Sequence, residues 1–206
     1  MSAGAAEWVL FDYGVGNLHS LRKALERVGA RTTVTDDPAR LVDADVAVLP
    51  GVGAFGHVME RLGPVREGLR ERHAVGRPTL GVCIGMQALY EGSEEDPGHA
   101  GLGILPGTAR RLPASAGKVP HMGWNTLEAE PDDPVVGAAS GHHVYYVHSY
   151  AAPPGPETVA TTEYGVPYAA AVRSGNTLAF QFHPEKSSTV GRGILKAARR
   201  ILEEQA

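Results

Sequence analysis

Cys83 is the only cysteine of this 206-residue chain, and its neighbours are typical of a reactive thiol. Residues 79–82 predict a buried strand, glycines stand two positions before and after Cys83, and a helix is expected to begin at Gly85. This layout matches a nucleophile elbow, a sharp strand-to-helix turn that lifts one side chain clear of a sheet. The helix start favours a thiolate, and the Ile84 N–H is placed to stabilise an oxyanion. Taken alone, the segment also fits an inert cysteine buried at a strand end.

A second candidate for chemistry is His183, which ends an apolar strand and is followed by Pro184 and Glu185. A residue before proline is held out of the helical region, and side chains two apart in an extended segment point the same way. Glu185 is therefore expected to bind one imidazole nitrogen of His183 and to leave the other free. A cysteine nucleophile needs such a base, and the base needs a carboxylate to fix its tautomer. The alternative is a solvated His and Glu beyond a strand end, but Cys83 and His183 together favour catalysis.

The loop after the strand at residues 46–49 is the third candidate. Its sequence is Pro50-Gly51-Val52-Gly53. Ligands of open α/β sheets bind beyond the carboxyl ends of strands, so this loop is expected beside Cys83. Its two glycines leave the backbone free to turn an N–H toward a developing oxyanion, although a plain turn is the alternative.

The elements that must position these residues alternate between strand and helix in the first half of the chain. Strands are expected at residues 8–13, 31–35, 46–49 and 79–82, with helices at 18–28 and 55–72, the latter interrupted by Gly63-Pro64. Asn17 is a candidate N-cap and Gly29 a candidate C′ residue of the first helix. The second half predicts strands at 119–128, 144–150, 158–164, 169–173 and 178–182, then a helix at 189–204. We therefore expect an open, mostly parallel sheet flanked by helices, with an antiparallel-rich second half, in one domain spanning residues 1–206.

Composition excludes several classes of function. The formal net charge is −4 and no block of Lys and Arg is present, which argues against a nucleic-acid binder. No stretch approaches the ~20 apolar residues of a membrane span, and residues 1–6 lack the features of a signal peptide. A lone cysteine fits a reducing compartment, so a cytoplasmic protein is expected.

Two other kinds of site are weakly indicated. Gly14-Val15-Gly16 follows a strand and opens a helix, as in dinucleotide-binding proteins, but His19 stands where the third glycine belongs. Asp36 and Asp37 lie at roughly the distance of a ribose-binding acid. His142, His143 and His148 lack the spacing of a zinc site. No cofactor or metal is therefore expected.

At these residues the chain resembles the class I, triad-type glutamine amidotransferases and, within them, the glutaminase subunits of imidazole glycerol phosphate synthase. The similarity covers nearly the whole chain and lies in residues 12–18, 49–56, 81–87, 118–125, 147–150 and 181–187. The elbow and His183-Pro184-Glu185 are common to class I amidotransferases, whereas residues 118–125 point to the narrower group. The resemblance implies a three-layer, flavodoxin-like fold.

The resemblance also implies roles. Cys83 attacks the side-chain amide of glutamine, His183 shuttles the proton and Glu185 orients His183, with an oxyanion hole formed by the backbone N–H groups of Val52 and Ile84. The residues implied to hold the substrate are Gly51, Gly53, Gln87, Glu95, Ser149 and Tyr150. Glu94 is the neighbouring alternative to Glu95.

The implied partner is a separate (β/α)₈ cyclase subunit in a heterodimer, which uses the ammonia to make imidazole glycerol phosphate and an aminoimidazole ribotide in histidine biosynthesis. The residues expected at this interface are Asn17, Lys118, His121, Trp124, Asn125 and Lys186. The alternatives are a glutaminase subunit of another ammonia-transferring synthase and a catalytically silent scaffold that only binds a partner. Intact Cys83, His183 and Glu185 argue against the scaffold.

Overall fold

The computed structural model describes residues 6–16, 18–51 and 53–206. Its helices are α1 His19–Arg27, α2 Pro38–Asp43, α3 Phe55–Leu62, α4 Arg66–Ala74, α5 Ile84–Gln87 and α6 Ser188–Glu203. Its strands are β1 Glu7–Phe11, β2 Arg31–Thr35, β3 Val46–Leu49, β4 Thr79–Val82, β5 Gly92–Ser93, β6 Thr108–Arg111, β7 His121–Thr126, β8 Glu128–Ala129, β9 His143–His148, β10 Tyr150–Ala151, β11 Thr158–Glu163, β12 Pro167–Ser174 and β13 Thr177–Phe180. Short 3₁₀ turns occupy Gly63–Val65, Ala114–Ala116, Gly137–Ala139 and Pro184–Lys186.

The main sheet has eight strands in the order β2-β1-β3-β4-β13-β12-β11-β8. The first five strands in this order are parallel, and β12, β11 and β8 extend the sheet antiparallel. This is the mixed α/β architecture that the alternation of elements predicts. Because β3, β4 and β13 are adjacent and parallel, the residues after each of them meet at one edge of the sheet.

Both faces of the sheet are covered. Along β1, Trp8 and Leu10 pack into the cluster that includes residues of α1 and α6. Val9 and Phe11 point the other way, into the cluster with residues of α3 and α4. Successive side chains of a strand point to opposite faces, so a strand that is apolar throughout is stable only between two helical layers.

A smaller hairpin and a short sheet lie beside the main sheet. Strands β7 and β9 pair antiparallel, with His121 opposite His148 and Trp124 opposite Tyr145. Strand β6 pairs with β5 and β10. Two expected long strands, at 119–128 and 144–150, are therefore each split into two pieces.

Several local predictions are confirmed. Gly29 follows the C-cap of α1 with φ +93°, and its N–H donates to the Glu26 carbonyl oxygen. The helix expected at 55–72 is interrupted at Gly63-Pro64.

Helix α2 was not predicted, although Asp37 accepts from the Ala39 N–H and Pro38 is its first residue. Asn17 lies outside the described residues. In the described part of the chain, no helix is both long and apolar enough to cross a membrane.

Candidate active site

Cys83 occupies a strained turn between β4 and α5. Its φ of 50° and ψ of −110° are unusual for a residue with a side chain, and such conformations cost on the order of 1–3 kcal/mol. Its N–H donates to the Phe180 carbonyl oxygen at 2.7 Å, which ties the turn to β13. Two residues later, a Cβ on Gly85 would collide with the Leu49 carbonyl oxygen. Glycine is therefore needed for α5 to begin so close to β3, as the elbow interpretation predicts.

His183 and Glu185 form a buried pair on the segment after β13. His183 is extended, with φ −97° and ψ 97°, and its Nδ1 lies 2.8 Å from Glu185 Oε1. Because a carboxylate only accepts, Nδ1–H is the donor, and Nε2 remains for other chemistry. Their side chains are only 5% and 7% exposed. Within the described residues, His183 Nε2 and Glu185 Oε2 have no hydrogen-bond partner.

Gly51 shows that Cys83 and His183 border the same point. A Cβ built on Gly51 would lie 2.9 Å from Cys83 Cβ and 2.9 Å from His183 Cε1. Such a separation is too short for carbon atoms in contact, so only glycine fits there. The loop after β3 therefore lies beside the other two segments. Val52, the expected oxyanion donor of this loop, lies outside the described residues.

The charge state of His183 follows from its neighbours. Burial lowers the pKa of the imidazole, but Cys83 and the Glu185 carboxylate outweigh burial and raise the pKa to about 10. Cys83 acts on the imidazole from close by, because both side chains border Gly51. An imidazolium beside a thiolate is the state that a cysteine nucleophile requires.

Ser187 fixes the segment that carries His183. Its Oγ donates to the His183 carbonyl oxygen at 2.7 Å and accepts from the Tyr145 N–H at 3.0 Å. The His183 N–H donates to the Tyr145 carbonyl oxygen at 2.9 Å. Strand β9 thus holds the histidine from both sides. No pattern in the sequence indicates this role of Ser187, because a serine after a strand carries no signal of burial.

A cavity of about 220 Å³ opens next to Cys83. Its lining comprises Gly53, Cys83, Ile84, Gln87, Glu95, Pro120, Val147, His148, Ser149 and Tyr150. Five of the six residues expected to hold the substrate are in this lining, and the sixth, Gly51, lies against Cys83 and His183. Ile84 is the first residue of α5, where an N–H has no partner within its own helix.

Two polar residues of the lining are held by backbone contacts. Glu95 Oε2 accepts from the Phe55 N–H at 2.9 Å, at the start of α3. Glu94, the alternative to Glu95, instead accepts from the Arg111 N–H and is absent from the lining. Gln87 Nε2 donates to the Tyr150 carbonyl oxygen at 2.8 Å. Contacts between side chains and backbone groups therefore join parts of the cavity wall that come from different segments of the chain.

Three side chains meet on the exposed face of the β7–β9 hairpin. Trp124 is 52% exposed and packs edge-on against Tyr145 at 6.0 Å between ring centroids. Lys186 Nζ lies 5.8 Å from the centroid of the same Tyr145 ring. Met122, 63% exposed, points to the same side of β7 as Trp124. We call Met122, Trp124, Tyr145 and Lys186 the hairpin face.

The expected interface position of His121 needs correction. Its side chain is 4% exposed, stacks on Tyr164 with ring centroids 3.9 Å apart, and contacts the Tyr168 hydroxyl through Nδ1 at 3.0 Å. His121 points inward because alternate residues of β7 face opposite sides and this side is covered by an aromatic cluster. Lys118 is exposed, and Asn125 donates to the Glu163 carbonyl oxygen.

The structure also places the residues of the dinucleotide-binding pattern and of the histidine cluster. Asp37 is the N-cap of α2, which accounts for one of the two acids of the dinucleotide pattern. His142 and His143 are exposed whereas His148 is buried. In the part of the chain that the structure describes, no three His, Cys, Asp or Glu side chains are grouped as a metal site would need.

Solved structures share this fold. A glutamine amidotransferase from Thermotoga maritima superposes with a TM-score of 0.65 at 16% identity, over 98% of this chain and 86% of that chain. The glutaminase domain of Trypanosoma brucei CTPS, solved with bound acivicin, gives a TM-score of 0.65 at 14% identity, over 97% and 94%. At these identities the likeness concerns the fold alone.

Sequence comparison is more specific. The chain is 48% identical to the imidazole glycerol phosphate synthase subunit HisH of Halobacterium salinarum, over 93% of this chain and 91% of the relative. It is 46% identical to the HisH subunit of Methanothermobacter thermautotrophicus, over 91% and 94%. The family model for class-I glutamine amidotransferases matches residues 9–198. The chain therefore belongs to the class-I glutamine amidotransferase family.

Proposed function

We propose that this chain is the glutaminase subunit of an imidazole glycerol phosphate synthase. It hydrolyses glutamine to glutamate and ammonia and delivers the ammonia to a (β/α)₈ cyclase subunit. The observation that carries the proposal is the meeting of Cys83, His183 and Glu185 beside an amino-acid-sized cavity, in a chain 46–48% identical to HisH subunits.

The first half of the reaction forms a thioester. The Cys83 thiolate attacks the side-chain amide carbon of glutamine, and the resulting oxyanion is stabilised by the N–H of Ile84 and that of Val52. The His183 imidazolium gives its Nε2 proton to the amide nitrogen, the C–N bond breaks, and ammonia leaves. Glu185 holds Nδ1–H throughout, so that Nε2 stays directed at the reacting atoms.

The second half releases glutamate. Neutral His183 takes a proton from a water molecule, which attacks the thioester carbon. The C–S bond then breaks, the thiolate returns beside the newly formed imidazolium, and glutamate leaves. Gln87, Glu95 and the backbone at Ser149 and Tyr150 hold the polar ends of the amino acid during both halves, because they line the same cavity as the sulfur.

The cyclase binds the hairpin face. An exposed Trp124 and Met122 beside the Lys186 ammonium give an apolar patch with one fixed charge, a composition typical of interface centres. The same strand β9 contacts His183 and lines the cavity, so this face is continuous with the active site. Lys118 and Asn125 flank it, and Asn17 is a further proposed contact.

Co-purification with a cyclase subunit, followed by measurement of glutamate release with and without the cyclase ligand, tests the proposal. We expect a stable complex, glutamate release that depends on Cys83, and none from Cys83→Ala. Trp124→Ala should weaken the complex at least tenfold, whereas Val75→Ala, which removes another exposed apolar side chain, at the C-cap of α4, should not. Wild-type complex without glutaminase activity would contradict the function, and unaltered binding by Trp124→Ala would contradict the interface.

A further inference from the structure

Gln181 lies directly after β13 and is fully buried, at 0% exposure. Its Nε2 is 3.6 Å from Cys83 Sγ, within the range of an N–H···S hydrogen bond. Its Oε1 accepts from Gln87 Nε2 at 3.1 Å. Neither contact belongs to the roles already given to Cys83, His183 and Glu185.

The orientation of the Gln181 amide follows from a backbone group. Gln87 Nε2 lies 2.8 Å from the Tyr150 carbonyl oxygen, which only accepts, so this end of Gln87 must be its NH₂. The other hydrogen of that NH₂ is directed at Gln181, which must therefore present its oxygen to Gln87. The NH₂ of Gln181 is then the end that faces Cys83 Sγ. His148 Nδ1–H donates to the same Tyr150 carbonyl oxygen at 2.9 Å. This oxygen is therefore an acceptor toward both side chains.

We infer that Gln181 is a further catalytic residue of the glutaminase reaction, whose amide N–H stabilises the Cys83 thiolate. This inference rests on the proposed function for its relevance to glutamine. In a buried site, a hydrogen bond to a charged acceptor is stronger than one to a neutral acceptor. The contact therefore favours the thiolate over the thiol before attack. It also favours departure of the thiolate when the thioester is hydrolysed.

Titration of Cys83 with iodoacetamide tests this inference without glutamine. Cys83 is the only cysteine, so the rate at which intact protein gains one carbamidomethyl group reports on this thiol alone. Gln181→Met keeps the volume and removes the N–H. We expect the midpoint of its rate-against-pH curve to rise by about one pH unit. Gln181→Glu keeps an acceptor for Gln87 but places a negative charge near the sulfur, and its midpoint should rise further.

Thr177→Val is the matched control. Thr177 is on the same strand β13, is 1% exposed, and contacts His73 Nδ1 at 2.9 Å at the end remote from Cys83. Its loss should lower stability and leave the alkylation midpoint unchanged. A folded Gln181→Met with the wild-type midpoint would overturn the inference.

If neither Gln181 variant folds, the side-chain amide resonance of Gln181 in the wild-type protein decides the matter. Its ¹⁵N–H signal should move as Cys83 ionises, and that movement should vanish in Cys83→Ala. A signal indifferent to Cys83 would refute the inference. The two proposals are tested separately. A shifted midpoint in a protein that never turns over glutamine would support the contact between Gln181 and Cys83 and would contradict the proposed function.

Discussion

Folding changes the pKa of His183, and Glu185 is one of the groups responsible. Burial by itself lowers this pKa, and the net rise to about 10 comes from Cys83 and Glu185. Glu185→Gln replaces the negative charge beside Nδ1–H with a neutral amide, so the pKa of His183 should fall. Glutamate release should drop by about 100-fold or more.

NMR titration of the His183 ring and steady-state kinetics of the complex check this prediction. Glu94→Gln is the control, because it makes the same change of charge at a residue outside the cavity lining. A Glu185→Gln enzyme within twofold of the wild-type rate would show that Glu185 has no part in catalysis.

The close packing around Gly51 predicts that a larger residue there reduces activity. In Gly51→Ala the new methyl group would lie 2.9 Å from both Cys83 Cβ and His183 Cε1, so these side chains must separate. Glutamate release should fall by about 100-fold, since small displacements at a reacting centre are costly. Gly193→Ala, on α6 with open space around it, should keep full activity. Full activity of Gly51→Ala would contradict the described packing.

The sequence was sufficient to predict that Cys83, His183 and Glu185 lie together, because each follows the carboxyl end of a strand in an α/β sheet. It was insufficient for Gln181, whose role depends on a side-chain orientation passed through Gln87 from a carbonyl group 31 residues before it. It also misplaced His121. Alternation along β7 says that His121 and Trp124 differ in direction, but not which side is covered.

Among the elements, the segment after β13 is held against β9 in part by the hydroxyl group of Ser187. Ser187→Ala leaves the half-buried Tyr145 N–H without its acceptor and removes one donor to the His183 carbonyl oxygen, which still accepts from the Lys186 N–H. Loss of such contacts should lower the free energy of unfolding by about 1–3 kcal/mol and reduce glutaminase activity further than stability explains.

Chemical denaturation and kinetics at a temperature where both proteins are folded test this expectation. Ser115→Ala, an exposed serine in the 3₁₀ turn Ala114–Ala116, should change neither quantity. Unchanged stability of Ser187→Ala would mean that β9 holds His183 by other contacts.

Strands β1 and β3 could be predicted because each is a short apolar run followed by an amphipathic helix. The elements that were missed or split, such as β5, β8 and β10, have two residues each, too few for any periodicity. The expected strand at 119–128 is split because its residues change partner: the Leu127 N–H still donates to the His142 carbonyl oxygen opposite β7, whereas β8 pairs with β11. Pairing of that kind is set by tertiary contacts.

For the whole molecule, buried neutral histidines predict sensitivity to acid. Burial, with smaller effects from His121 and His183, lowers the pKa of His148 to about 3. The unfolded chain takes up this proton near pH 6.5 while the folded chain does not, so stability is lost as the pH falls from about 6.5 toward 3.

Urea unfolding at a series of pH values tests this dependence. His148→Asn can still donate to the Tyr150 carbonyl oxygen but cannot titrate. Its free energy of unfolding should fall less steeply below pH 6.5, by up to about 1.4 kcal/mol per pH unit. His142→Asn, which changes an exposed histidine, should keep the wild-type slope. Parallel slopes for His148→Asn and wild type would show that His148 is charged in the folded protein.

In the proposed reaction, the sulfur of Cys83, activated by His183, attacks the side-chain amide of glutamine. Mass spectrometry of the intact complex after treatment with a glutamine-analogue electrophile measures this most directly. We expect one adduct per chain on Cys83, protection by glutamine, much slower labelling of His183→Gln, and no labelling of Cys83→Ala. Absence of an adduct on Cys83 in the wild-type complex, or labelling at an undiminished rate in His183→Gln, would contradict it.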